Sequence, residues 1–223
     1  MPRKAPDAPW DEEPKDLAAL NAAIDEAGPF VSGGTRAVFG EGPDHAALVF
    51  VGEQPGDQED IQGRPFVGPA GRILSEAMEE AGLSRKKAYV TNAVKHFKFE
   101  QRGKRRLHAR PSAGEVRRYR PFLMKEIDLV HPKLVVALGA TAAQALAGRP
   151  VAVSRARGET RFGPYEGYVT VHPSYLLRVP DEAAKRAAYE AFVADLRRIR
   201  TLLEASPDAE KPPSMGKSKP PAK

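Results

Sequence analysis

Five side chains with the chemistry to act on a ligand are scattered along this chain: Glu53, Phe66, Asn92, His108 and His172. Glu53 follows Gly52 in a loop that also carries Asp57, Glu59 and Asp60, a density of carboxylates that no hydrophobic core accommodates. Phe66 stands in a rigid frame, with Pro65 before it and Val67-Gly68-Pro69 after it. It reads either as a core aromatic pinning the loop or as a stacking platform for a flat ligand such as a nucleobase. His108 lies inside a basic run. An imidazole with an ordinary pKa of about 6.5 is largely neutral at pH 7 and serves as a base or a nucleophile. An Asn after a strand is commonly a turn former, and a His before a proline is commonly a cap. Neither Asn92 nor His172 is therefore a site by itself, and their shared setting is what gives them weight.

That setting is a row of strand ends. Leu48-Val49-Phe50-Val51 is a continuous apolar run of the kind a parallel sheet covers on both faces, and it stops at Gly52. Residues 88–92 form a second strand ending at Asn92, residues 134–138 a third ending before Gly139, and residues 168–171 a last one running into His172-Pro173-Ser174. In a parallel sheet these ends share one edge, and open α/β sheets bind ligands there, so Glu53, Asn92 and His172 are expected to converge. The helices between the strands are marked by their periodicity. Leu17 to Ala27 is a stripe closed by Gly28-Pro29, and Ile73, Leu74, Ala77, Met78 and Ala81 recur at helical spacing. Ser112 with Glu115 forms a capping box, opening a helix with Val116, Tyr119, Leu123, Ile127 and Val130 on one face and Pro121 as a kink or irregular turn. Helices are also expected over 141–147 and 182–204, and weaker strands over 151–154 and 160–163. Residues 96–110 show no clear period. Strands alternating with helices predict a mostly parallel α/β sheet covered by helices.

The chain of 223 residues suits one domain with tails: a flexible N-terminal segment over 1–15, a domain over 16–204, and a basic, proline-rich, disordered tail over 205–223. No apolar stretch approaches the roughly 20 residues a membrane span needs, and the N-terminus has no signal-peptide pattern, which makes the cytoplasm the expected compartment. With no cysteine, disulfides, thiolate nucleophiles, cysteine-held clusters and the common zinc sites are excluded. The net charge of +6 favours a polyanionic partner. Between Lys98 and Arg110 the cations Lys98, Arg102, Lys104, Arg105, Arg106 and Arg110 are opposed only by Glu100, a pattern that predicts phosphate contact and strong salt dependence.

Five segments, GEQPGDQEDIQGRPFVGPAGR (52–72), YVTNAVKHFKF (89–99), GKRRLH (103–108), LGATAAQAL (138–146) and VHPSYLLR (171–178), together resemble the uracil-DNA glycosylase superfamily. The likeness is greatest to its UdgX-type members, which are related to family 4. The first and last segments are superfamily motifs; the GEQPG form and the KRR-x-H loop are characteristic of UdgX-like members. The resemblance implies a three-layer α/β/α sandwich around a four-stranded, mostly parallel sheet. It implies that a deoxyuridine is flipped out of DNA and its N-glycosidic bond broken. Carried over by motif, Phe66 stacks on the uracil, Asn92 reads its polar edge, His172 stabilises the departing uracil anion, and Glu53 supports the cationic sugar or orients the attacking group. Gly52, Gln54 and Asp57 belong to the same substrate site, and Lys104, Arg105, Arg106, Ser174 and Arg178 are the expected DNA contacts. In ordinary members water attacks; in UdgX-like members the histidine of the KRR-x-H loop, here His108, attacks the sugar C1′ and stays bonded to it.

The partner implied is uracil-containing DNA in single-stranded form, met by a monomer with no membrane contact, no metal and no cofactor. On the last point the chain departs from similar members, which hold an iron–sulfur cluster through cysteines. Asp25 and Gly28 fall where a paired cysteine motif would be, Tyr119 falls at a later one, and His96 lies where related glycosylases place another ligand. Two alternatives stay open: a conventional glycosylase that releases an abasic site, and a non-catalytic binder of damaged DNA. A generic nucleotide-binding protein is remote, since no phosphate-loop signature is present.

Overall fold

The computed structural model describes residues 9–205. The expected disordered tail therefore lies outside the described residues except at Ala205, as do residues 1–8 of the expected flexible N-terminal segment. Four apolar runs form a parallel sheet: β1 (Leu48–Gly52), β2 (Ala88–Asn92), β5 (Leu134–Leu138) and β7 (Tyr165–Thr170). A fifth strand, β6 (Gly158–Phe162), pairs antiparallel with β7 and gives the order β2-β1-β5-β7-β6. The sheet thus has one strand more than the four expected. The stretch expected as a strand over 151–154 contributes instead to the short helix α6 (Val153–Ala156).

Alternation along the strands builds the three layers. Val49, Val51, Val135 and Ala137 meet α4 (Ala113–Val130) and α5 (Ala140–Ala147) on one face. Leu48, Phe50, Val90 and Val136 meet α3 (Pro69–Glu80) and α8 (Glu182–Ala205) on the other. The helix starts follow local rules. Asp16 caps α1 (Leu17–Ala27) by accepting from Ala19 N–H at 2.8 Å, and Gly28 ends it in the left-handed region (φ 67°). The expected capping box closes α4: Ser112 Oγ accepts from Glu115 N–H (3.2 Å), and Glu115 Oε2 accepts from Ser112 N–H (2.6 Å). Ahead of α1, Trp10 packs edge-on against Phe122 with centroids 5.5 Å apart.

One polar network lies inside this core. Lys95 Nζ donates to Glu126 Oε2 (2.6 Å) and to Thr91 Oγ1 (2.6 Å), while Tyr89 and Thr91 hydroxyls donate to the two oxygens of Glu126 (2.9 Å each). The network joins α4 to the end of β2 and to the loop that follows it.

The aperiodic basic segment is an outlying β-hairpin, β3 (Phe99–Arg102) and β4 (Arg105–His108), turning at Gly103 (φ 58°). Short helices α2 (Asp57–Gln62) and α7 (Pro173–Leu176) flank the strand ends. Among the described residues no helix is long and apolar enough to cross a membrane.

Candidate active site

The register of β1 and β2 sets Gly52 opposite Asn92, and the next backbone groups lock the two ends together: Ala93 N–H donates to Gly52 O (2.9 Å) and Val94 N–H to Glu53 O (3.0 Å). A β-carbon on Gly52 would lie 2.4 Å from Asn92 Oδ1 and 2.6 Å from Phe66 Cζ, so only glycine lets the amide and the ring close on the strand end. Beyond that edge opens a cavity of about 870 Å³, ample for a nucleotide, lined by Glu53, Phe66, Asn92, His108 and His172 among others. The five scattered side chains of the sequence do converge.

Phe66 faces His172 across this space, with ring centroids 6.4 Å apart and 28° between planes. Its loop is held by a buried carboxylate: Glu59 accepts from Gly68 N–H through Oε1 (2.7 Å) and from Gly56 N–H through Oε2 (3.1 Å). The expectation that the acidic loop avoids burial therefore fails at Glu59, because two backbone donors take the place of water.

His172 follows the end of β7 by two residues and caps α7. Its Nδ1 accepts from Ser174 N–H (3.1 Å) and lies 2.8 Å from Ser174 Oγ, which in turn accepts from Arg178 (3.1 Å). An Nδ1 that accepts leaves the ring proton on Nε2. Burial pushes the His172 pKa down to about 4; Glu53 works against this shift, and Arg178 and His108 add to it. At neutral pH the ring is therefore an uncharged N–H donor, suited to meet negative charge that develops on a ligand.

The hairpin carries His108 to the opposite wall. Gln54 clamps its base: Nε2 donates to the carbonyls of Lys98 (3.2 Å) and Ala109 (3.1 Å), and Oε1 accepts from Lys98 N–H (3.1 Å). Arg106 clamps its middle. The guanidinium donates to Asp57 Oδ1 (2.7 Å) and to Asp60 Oδ2, and lies over the rings of Phe97 and Phe99 at 5.5 and 5.2 Å. His108, half exposed, presents Nε2 at 3.5 Å from Glu53 Oε1. Glu53 Oε2 accepts from Thr141 Oγ1 and has Arg110 Nε at 3.9 Å.

The expected site residues thus separate by what they touch. Glu53, Phe66, Asn92, His108 and His172 face the cavity with Ser174 and Arg178. Gln54 and Asp57 also line it, but their polar groups are engaged with the hairpin. Gly52 contributes backbone and absence of bulk. Lys104 and Arg105 sit exposed on the hairpin outside the cavity, whereas the Arg106 guanidinium is committed to Asp57 and Asp60. Lys98, counted among the free cations of the segment, is paired with Glu115 at 2.8 Å.

Three contributors escaped the sequence reading. Thr141 looked like one more small residue of an alanine-rich helix. Glu59 gave no sign that backbone groups would bury it. Leu177, 47% exposed at the cavity and close to the 47%-exposed Tyr175, had only its place in the VHPSYLLR segment to mark it.

The positions that correspond to cluster ligands do not fit a cluster. They supply no thiolate, and Tyr119 is fully engaged: its hydroxyl accepts from Phe30 N–H (2.9 Å) and pairs with His96 Nδ1 (2.8 Å). Phe30 N–H and His96 Nδ1 are the two polar partners of the phenol, and the His96 tautomer sets which ring carries the shared proton. Burial keeps His96 below its usual pKa and therefore neutral, and raises Tyr119 to about 12. Phe30 packs on Tyr119 with ring centroids 4.8 Å apart, laying apolar surface against the phenol. Among the described residues no group of three or more His, Asp or Glu side chains is arranged to hold a metal ion.

The family model of the uracil DNA glycosylase superfamily matches residues 39–197. The type-4 uracil-DNA glycosylase of Thermotoga maritima is 37% identical over 173 residues, covering 76% of this chain and 84% of that protein. The proteins of the same description from Sulfurisphaera tokodaii and Archaeoglobus fulgidus are 35% and 32% identical over 178 and 177 residues. Each match covers 75% of this chain, and 75% and 82% of the respective relatives.

Proposed function

This chain belongs to the uracil DNA glycosylase superfamily, and on that premise we propose that it excises uracil from DNA and, in the manner of UdgX-type enzymes, keeps the deoxyribose on His108. A base turned out of the strand enters the cavity and lies on Phe66, with Asn92 at its polar edge. As the C1′–N1 bond breaks, its electron pair leaves with the uracil, and the neutral Nε2–H of His172 donates to the anion that results. Positive charge grows on the sugar beside Glu53. The lone pair of His108 Nε2 then forms the bond to C1′, and the remaining ring proton, which sits on Nδ1, is lost to solvent. The exposed side chains of Leu177 and Tyr175 suit the gap left by a flipped nucleotide, and Lys104, Arg105 and Arg178 suit its flanking phosphates. The proposed substrate is uracil in single-stranded DNA, bound by a monomer.

The observation that carries the covalent step is the 3.5 Å approach of His108 Nε2 to Glu53 Oε1 on a hairpin clamped by Gln54 and Arg106. Incubation with labelled uracil-containing DNA followed by a denaturing gel tests it. A heat-stable shifted band is expected, abolished by His108→Ser; strand scission after alkali without any such band would sink covalent capture and leave the conventional release of an abasic site. The half exposure of His108 favours that second reading, because water also reaches Glu53.

A further inference from the structure

Glu53 uses its two carboxylate oxygens differently. Oε1 faces His108, and Oε2 takes the hydroxyl proton of Thr141. Thr141 is the second residue of α5 and 3% exposed, so its hydroxyl is sheltered and its direction is set by the helix start. The turn that delivers it is equally constrained: Gly139 has φ 89°, and a β-carbon there would approach His172 Cβ to 3.0 Å. One turn between β5 and α5 therefore packs against His172 and anchors Glu53. A competing pull comes from Arg110, whose exposed guanidinium lies 3.9 Å from the anchored oxygen.

We propose that Thr141 is a positioning residue for Glu53: by tying down Oε2 it turns Oε1 toward His108 and the reacting sugar, and stops the carboxylate from swinging out to Arg110. This rests on the proposed function in that Glu53 must face C1′ and His108. A hydrogen bond from a hydroxyl to a carboxylate is charge-assisted, and a small rotation of the carboxylate away from the reacting atoms is costly in rate.

The test is single-turnover excision and capture at saturating uracil-containing DNA, with affinity measured separately. Thr141→Val, which keeps the volume and removes the donor, is expected to slow the reaction about tenfold or more while affinity stays within about twofold. Thr141→Ser is expected to recover most of the rate. In a Glu53→Gln background the valine change should cost less than about twofold, since the partner is already altered. Should the valine variant lose its melting transition, Thr141→Ala is read in the same way. Equal losses in both backgrounds, a serine variant as slow as the valine, or a valine variant as fast as wild type each overturn the assignment. A wild type that releases no uracil overturns the proposed function and this assignment with it; a wild type that excises beside an equally fast Thr141→Val overturns the assignment alone.

Discussion

On the sheet side of the cavity, Lys95 and Glu126 pair with side chains 0% and 1% exposed; on the hairpin side, Arg106 is 24% exposed and its partner Asp57 is 45%. The first pair is surrounded by Thr91 and Tyr89 and underlies the loop after Asn92. The second holds a two-stranded ribbon against α2 in reach of solvent and salt. A buried pair resists separation because each partner left alone is a desolvated charge, whereas a part-exposed pair can exchange its partner for water. The wall proposed to recognise and release the base is thus part of the fold. The wall that bears His108 is fastened to the fold in part by an ion pair that solvent reaches.

Damage to the sheet side should show first as lost stability. Lys95→Ala leaves Glu126 buried and unpaired and is expected to cost about 3–5 kcal/mol, read as a lower midpoint in urea unfolding. A loss under about 1 kcal/mol would break the comparison.

Next in size, His172→Leu removes the proposed donor to the departing anion and should lower single-turnover uracil release by about 10²–10³-fold, with capture falling in step because it follows the same bond cleavage. The same histidine sets a pH dependence. Its folded pKa, about 4, lies below the ordinary value of about 6.5, so the unfolded chain binds the proton more readily. Its contribution to stability is complete above about pH 6.5 and is lost as the pH falls toward 4; a folded-state imidazole titration midpoint near 6.5 would contradict this.

A lesion on the hairpin should separate the two halves of the proposed reaction. Arg106→Ala removes the clamp to Asp57 and Asp60, and is expected to lower covalent capture about tenfold while uracil release changes less than about threefold. Equal losses in both would mean that the hairpin and the sheet edge act as one body. The smallest effect belongs to the outer cations. Replacing Lys104 and Arg105 together by alanine should weaken DNA binding a few-fold and flatten its salt slope by up to about 0.7 per lost single-strand phosphate contact, with capture at saturating DNA unchanged.

The same contrast explains what the sequence made legible. The sheet side is written in local chemistry: apolar runs broken by Gly52, Asn92 and His172 mark both the strands and the edge where they end, and the capping box at Ser112 marks the start of α4. The hairpin is not. Phe99–Arg102 and Arg105–His108 are largely exposed and do not alternate, because they are stabilised from outside by Gln54, about fifty residues upstream, and by the carboxylates of α2. From the sequence Arg106 is one cation in a run, and its commitment to Asp57 and Asp60 exists only in three dimensions. Thr141 and Glu59 were hidden for a related reason: what distinguishes them is a single partner brought in by the tertiary structure. The antiparallel β6, with little apolar content beyond Phe162, was faint for want of a second buried face.

Phe66 is held in the left-handed region (φ 56°), and a β-carbon on Gly71 would fall 1.9 Å from its carbonyl oxygen. The angle of the ring is therefore a joint property of two positions, and neither can drift while the other stays. A lineage exploring other bases would find no stepwise route that tilts the proposed floor, since any side chain at Gly71 meets the Phe66 backbone. Variation is open instead at residues that reach the cavity from separate elements, such as Asn92 and Leu177. Selection on this scaffold would change what the proposed site reads at the edges of a base long before it changed the ring proposed to lie beneath it.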